Sequence, residues 1–453
     1  MSQLLLTFYG DDFTGSTDAL EQLALAGLRT ALFIEPPTPT QLKQFPGLQA
    51  LGVAGMTRSL PAAALAKELR PALKKLQALG ARHVHYKVCS TFDSSPQIGS
   101  IGRVIDVAAR IFHAPFVPLL VAAPTLGRHC VFGNLFARYG IGSCGEIHRL
   151  DRHPSVSKHP VTPMREADLR WHLAQQTRKR IVLFDILKVA LPAGAAREAL
   201  RQVLADRPDV VLFDAVYPEQ MNLIGGLMDD YATAEQPLFS VGSSGVEMAL
   251  GAWWKSSGRI KKIPSGKGMD NPPFQKKRVR QVLVGSGSCS PVTSGQIDWA
   301  LKNGFAEVSL KATALTSDKT AAKEIQRATA ATVKFLQASR SVIVHTTRSG
   351  SDSRIAAKFK HDTGRVLGTA LGQVLRGALT QTEVPRICVA GGDTSSFAAR
   401  ALGIEAMTMI APLTPGAPLC RAFASGSPAD GREVVFKGGQ VGSENYFEGV
   451  GRG

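Results

Sequence analysis

No apolar run in the chain is long enough to cross a bilayer; the longest candidate, FHAPFVPLLVAAP, is short and interrupted by Pro115 and Pro118. The opening segment, MSQLLLTFYGDD, has neither a basic leader nor a small-residue cleavage site, so a soluble cytoplasmic protein is expected. Cysteine is sparse and scattered: Cys89, Cys130, Cys144, Cys289, Cys388 and Cys420 form no CxxC pair and have no histidine partner at zinc-finger spacing. Reduced thiols are the simplest account, and a structural zinc is not supported. No GxGxxG joins a first strand to a helix, which argues against a nicotinamide dehydrogenase. No period of about 20 to 50 residues stands out, so a solenoid is not supported either.

At 453 residues the chain exceeds what one hydrophobic core usually supports, and 44% apolar with 20% charged residues lets two domains fold. The formal charge is +17. Its basic residues are spread along the chain, and the densest group, GRIKKIPSGKGMDNPPFQKKRVR, is Gly/Pro-rich with no aromatic ladder beside it. A solvated linker is therefore expected there rather than a nucleic-acid surface, and the excess charge suits steering of small anionic substrates. With Pro272 and Pro273 inside it, this segment sets the expected boundaries: a first domain over 1–255, a linker over 256–279 and a second domain over 280–453. A linker of that length leaves a homodimer or a swapped domain open.

Apolar runs alternate with helical patterns on both sides of the boundary: LQALGVAG, HVHYKVC, PLLVAAP, IVLFDI, VVLFDA and LFSVGSS before it, VLVGSGS, FAEVSL, SVIVHTT, RICVAGG and AMTMIAP after it. The expected fold class is α/β, two domains each with a largely parallel sheet flanked by helices.

Two adjacent carboxylates, Asp11 and Asp12, follow the first expected strand, Leu4 to Tyr9. FTGST reads as a turn in which Gly15 is free to take positive φ, with a helix from Asp18 onward. The acids then lie at a strand's carboxyl end, where open α/β sheets bind ligands. The competing reading is an aspartate that caps the helix or braces the turn.

In the second half, a strand ending at Val284 leads through GSGSCS to a helix opened by Pro291 and Thr293. RICVAGGDTSSFAARAL repeats that grammar, and FKGGQVGSEN adds a third glycine-rich turn with Lys437, Gly438, Gly439 and Gly442. Backbone N–H groups at such helix starts hold phosphate, with the hydroxyls of Ser286, Ser288 and Ser290 as further donors, although tight strand-to-helix turns also need glycine for steric reasons alone. No Lys-Ser/Thr follows as in a Walker A loop.

Taken together, YGDDFTGSTDAL, YKVCSTFDSS, GSCSPVTSGQI, VAGGDTSS and FKGGQVG resemble the motifs of the four-carbon acid sugar kinase family, in the family's order and over nearly the whole chain. The resemblance implies ATP-dependent phosphorylation of a small anionic sugar acid held by the N-terminal half, with the nucleotide held by the C-terminal half. It places Asp11 and Asp12 as the catalytic acidic pair and Thr14, Gly15, Arg58, Lys87, Ser90 and Thr91 around the substrate. Ser286, Ser288, Gly391, Gly392, Asp393, Thr394, Gly438 and Gly439 would contact the nucleotide, and Asp393 is the candidate carboxylate for Mg²⁺. Closure about the linker would bring the two halves together.

The family's Lys-x-Asp-Ser-Thr-x-Arg-Gly pattern is altered here: Cys89 stands in place of the aspartate and Asp93 in place of the arginine. That inverts a charge beside the expected substrate, unless Arg58 or Arg103 supplies it. Histidines His129, His148, His153 and His159 gather around GEIHRLDRHPSVSKHPVTPM and suggest a different substrate wall, so a branched or oxidised acid of the 3-oxo-isoapionate kind stands beside a tetronate or 3-oxo-tetronate. The other class compatible with these changes is a non-catalytic regulatory protein that binds an anionic metabolite or nucleic acid.

Overall fold

The computed structural model describes residues 4–139, 145–159, 161–260, 276–346 and 363–452. The chain divides into two compact units, Met1–Asn271 and Pro272–Gly453. The core of the expected linker, 261–275, and Cys144 lie outside the described residues.

The first unit is built on eight parallel strands: β1 (Leu6–Gly10), β2 (Thr30–Phe33), β3 (Ala50–Ala54), β4 (His83–Lys87), β5 (Val117–Leu120), and, after a three-stranded antiparallel insert of β6 (Arg128–Val131), β7 (Asn134–Arg138) and β8 (Ile147–Arg149), β9 (Ile181–Phe184), β10 (Val210–Phe213) and β11 (Leu238–Gly242). Their order is β2-β3-β1-β4-β11-β5-β10-β9. Strands β1 to β4 and β11 are buried at every residue, which is why they read as continuous apolar runs rather than as an alternation. The chain leaves β1 toward β2 on one side of the sheet and leaves β4 toward β5 on the other. The crevice at the carboxyl ends of β1 and β4 is therefore a topological switch point, the place where such sheets bind ligands.

The second unit has the order β13-β14-β12-β15-β18-β17-β16, from β12 (Val282–Ser286), β13 (Ala306–Ser309), β14 (Val342–His345), β15 (Arg386–Ala390), β16 (Ala406–Thr414), β17 (Ala417–Phe423) and β18 (Glu433–Lys437). The first five in this order are parallel, whereas β17 runs antiparallel to both β16 and β18. One face packs Val282, Val284, Cys388 and Val435 against Ile297, Phe447 and Val450 of the helices Pro291–Lys302 and Tyr446–Arg452. Burial of such side chains contributes about 1.5–3 kcal/mol each. Here the switch point falls between β12 and β15.

Two local expectations are corrected. FTGST is not a turn: the helix begins at Phe13 and runs to Leu25, with Asp12 as its N-cap, and Gly15 lies within the first turn. The strand expected to end at Val284 continues to Ser286.

Candidate active site

In the first unit, Asp12 caps its helix by accepting a hydrogen bond from the Gly15 N–H at 2.7 Å, and Thr14 Oγ1 donates to its other oxygen at 2.9 Å. The capping alternative is thus realised, and a cluster is built on it. Arg58, carried by the short 3₁₀ turn Thr57–Ser59 after β3, donates from Nε and Nη2 to the two oxygens of Asp11 at 3.0 and 2.7 Å and from Nη1 to Asp12 at 2.9 Å. Burial works against the Arg58 charge, but Asp11 and Asp12 hold its pKa above the ordinary range; burial pushes Asp11 up against the pull of the guanidinium. Gly15 has a steric reason. A Cβ there would stand 2.4 Å from Asp12 Oδ1, with Lys87 Nζ and Arg58 Nη2 also close by. Close packing of the cluster, rather than positive φ, requires the glycine.

Strand β4 contributes a buried polar column along one face, His83, His85 and Lys87, because alternate residues share a face. Lys87 donates to the Val88 carbonyl at 3.1 Å and lies 3.3 Å from Asp18. Although burial disfavours its charge, neighbouring carboxylates raise its pKa. Glu247, in the first turn of the helix Gly245–Ser256, is fully buried, and among the described residues neither of its oxygens has a hydrogen-bond partner. Burial pushes its pKa up to about 8, while His85, 3.6 Å away, is pushed down to about 3. This raised pKa favours the protonated form of Glu247 at neutral pH, and Asp18 is the carboxylate nearest the Lys87 ammonium. Sequence reasoning missed Asp18 and Glu247; the strand-Gly/Ser-helix grammar of SVGSSGVEMAL was the available signal.

The loop after β4 brings Ser90 and Thr91 to the same edge. Thr91 Oγ1 donates to Asp93 at 2.9 Å and lies 2.9 Å from Cys89 Sγ, and the buried Phe92 is held at φ 57°. That left-handed backbone is costly for a bulky residue, on the order of 1–2 kcal/mol, and it fixes where Cys89 and Asp93 stand. Burial, with Asp93 nearby, raises the Cys89 thiol, so it stays protonated. Arg103 sits half-buried in the first turn of the helix Ile101–Ala108. Of the histidines, His129 meets the Val216 carbonyl at 2.8 Å, His159 accepts from the Thr162 N–H at 3.1 Å, and the buried His153 packs between Tyr139 and His148.

In the second unit the carboxyl ends of β14, β12, β15 and β18 come level, with Ser286 beside His345 and Ala390, and Ala390 beside Lys437. The three glycine turns converge there. A Cβ on Gly287 would lie 2.3 Å from Thr394 Oγ1, one on Gly391 3.3 Å from the Ser288 nitrogen, and one on Gly439 2.6 Å from Ser288 Oγ. Gly391 has φ 122°, as only glycine adopts readily. Neither Ser290 nor Gly391 caps its helix with a side chain, so the N–H groups that open the helices Pro291–Lys302 and Gly392–Ala401 lack the kind of acceptor that Asp12 provides in the first unit. Beneath them Lys437 is fully buried, donates to Thr293 Oγ1 at 3.1 Å, and has no acidic partner among the described residues. Burial lowers its pKa to about 8. Ser286 Oγ is buried without a hydrogen-bond partner among the described residues. Gly392, Gly438 and Thr394 belong to these turns; the Asp393 side chain lies outside the described residues.

The first unit matches a family model described as a sugar-binding N-terminal domain over residues 6–250, and the second a nucleotide-binding C-terminal domain over 283–447. A 3-oxo-isoapionate kinase of Paraburkholderia graminis is 42% identical over 98% of this chain and 93% of its own. The chain belongs to the four-carbon acid sugar kinase family. Other members it resembles are the 3-oxo-tetronate kinases of Methylobacterium radiotolerans, 30% identical over 98% of both chains, and of Pseudomonas savastanoi pv. phaseolicola, 27% identical over 98% of this chain and 96% of that one. Kinase relatives and a nucleotide-binding domain imply ATP as the phosphoryl donor for this family member. Among solved structures, proteins from Salmonella typhimurium LT2 (TM-score 0.77, 99% of this chain and 98% of that one) and Haemophilus influenzae (0.69, 98% of both) share its fold, each at 23% identity. Among the described residues no helix is long and apolar enough to cross a membrane.

Proposed function

We propose that this kinase transfers the γ-phosphoryl group of ATP to a hydroxyl of a branched or oxidised sugar acid, with 3-oxo-isoapionate the first substrate to test and 3-oxo-tetronate the second. The relative at 42% identity favours the former. The observation that carries the phosphoryl half is the buried Lys437, with no acidic partner among the described residues, beneath two side-chain-uncapped helix starts. A buried ammonium without an anion is costly, and nucleotide phosphates supply one at a place already lined with N–H donors.

In the first unit, Asp12 is the member of the acidic pair that can meet substrate, with a side chain 15% exposed against 4% for Asp11. Asp12 orients the attacking hydroxyl and accepts its proton, and Asp11 holds Arg58 in place by a two-pronged ion pair. Lys87, Thr14, Ser90 and Thr91 line the remainder of that edge. Mg²⁺ carried on the nucleotide phosphates, with Asp393 as the candidate protein carboxylate, would neutralise charge on the transferring group.

The test is ADP release by purified protein with Mg-ATP against four- and five-carbon sugar acids that include the 3-oxo and branched members. Asp12→Asn is the informative variant, since asparagine caps a helix as well as aspartate but accepts no proton. Turnover should fall about 10²–10⁴-fold while ATP affinity stays within a few-fold. Retained turnover removes Asp12 from the chemistry, and lost ATP binding refutes the division of labour between the units.

A further inference from the structure

We propose that Arg128, the first residue of β6, binds the carboxylate of the sugar acid and so replaces the cation that Asp93 displaces. The proposal rests on the kinase reading and names the part of the protein that recognises the substrate's acid group.

The cations expected to do this are already engaged. Three hydrogen bonds to Asp11 and Asp12 occupy Arg58 through Nε and both Nη atoms, and Lys87 is buried against Asp18. Arg128 differs from both. It is 5% exposed, and its Nη1 donates to the carbonyls of Leu126, Gly127 and Arg138 at 3.2, 3.3 and 3.1 Å. Its Nε is buried with no partner, and among the described residues no carboxylate forms an ion pair with it. An arginine cannot shed its proton to escape such a site, so the guanidinium is a fixed, largely desolvated positive charge awaiting an anion. The three carbonyls lock its position and leave the Nε and Nη2 edge, the geometry that takes a carboxylate by two parallel bonds.

Arg128 itself lies within electrostatic reach of the candidate active site. The charge of Arg128 is felt with those of Asp93 and Asp18, and the neutral Cys89 thiol lies within electrostatic reach of Arg128, Arg58 and Asp12 alike. Arg128 also bears on His153, so the histidine-rich segment adjoins the same space. The lowered pKa of Arg128, a consequence of burial, agrees with a charge that lacks its counter-ion. A substrate lying along this edge would have its carboxylate at Arg128 and a hydroxyl toward Asp12, which explains how a family member can dispense with the arginine that Asp93 replaces.

The experiment compares equilibrium binding of 3-oxo-isoapionate and of its neutral carboxamide to the wild-type protein, Arg128→Lys and Arg128→Ala, with ADP release measured in parallel. The wild type should prefer the acid to the amide about 10- to 100-fold, the usual range for hydrogen bonds to a charged group. That preference should collapse to near unity in Arg128→Ala and be partly kept in Arg128→Lys, with KM for ATP within about twofold of wild type. A structural role for Arg128 would weaken both ligands equally and leave the preference intact, and that result overturns the proposal. So does a wild type that binds acid and amide alike. Acid preference without ADP release would instead refute the kinase reading while leaving Arg128 tested by binding alone.

Discussion

At the scale of single residues, the site is a set of buried charges whose neighbours decide their protonation, and Glu247 is the sharpest case. Burial raises it from an ordinary 4.5 to about 8, and the groups facing it are Lys87, Asp18 and the neutral ring of His85. Between those two pH values the folded protein keeps a proton that the unfolded chain has released. Stability is therefore full below about pH 4.5 and falls as pH rises toward 8, by at most about 1.4 kcal/mol per pH unit from this group. Glu247→Gln mimics the protonated acid and cannot titrate. Thermal denaturation between pH 5 and 8 should show the wild type losing ground to the variant as pH rises; parallel curves would mean that Glu247 is ionised in the folded state. The acidic pair, Arg58 and Lys87 were legible as letters because a short motif carries them. Their consequence was not: that Arg58 is consumed by Asp11 and Asp12, and that Arg128 forms no ion pair among the described residues, depends on which loops meet, and LGRHC carries no pattern that announces a buried cation.

At the scale of elements, the strands that read as apolar runs all formed: most are buried on both faces and so have no alternation to misread, although β13 alternates buried and exposed residues. Strands β2, β17 and β18 and the insert β6 to β8 escaped notice. The turn between β6 and β7 is Phe132-Gly133, with φ 48° and 82°, a two-residue hairpin turn whose first position normally calls for Asn, Asp or Gly. A phenylalanine there hides the hairpin from sequence, and the structure holds it with Asp214, which accepts from the N–H groups of Phe132 and Gly133 at 2.6 and 3.0 Å. The first helix start was misjudged by a few residues for a related reason: Asp12 caps through a contact to Gly15 that only the folded turn displays, whereas the helix expected from Pro291 begins there. Joining of elements also rests on one carboxylate, Asp229. At the end of the helix Gln220–Asp229 it meets His83 of β4 at 3.0 Å, the indole N–H groups of Trp253 and Trp254 at 3.1 and 3.0 Å, and Arg259 at 3.1 Å. Burial alone would raise its pKa, but these donors hold it well below the usual carboxylate range. Asp229→Ala strips that charge from four partners and should cost about 3–5 kcal/mol, read as a lower urea midpoint by tryptophan fluorescence. An unchanged midpoint would show that the network is dispensable.

At the scale of the whole molecule, a surplus of seventeen positive charges has to be reconciled with substrates that are themselves anions. A positive field raises the encounter rate of a sugar acid and of Mg-ATP without altering the chemical step once both are bound, and salt screens it over about 10 Å at 0.1 M. The expected signature is therefore a split in steady-state kinetics. Raising ionic strength from about 50 to 200 mM should lower kcat/KM for both substrates by about threefold to tenfold and leave kcat nearly constant. The buried charges of the site itself, Arg128 and Lys437, are shielded from bulk ions and should contribute little to this slope. The same slope ought thus to persist in Arg128→Lys although its KM is higher. A salt-independent kcat/KM would mean that the basic surplus lies remote from the sites, and a fall in kcat of the same size would mean that salt disturbs the transferring geometry rather than the approach.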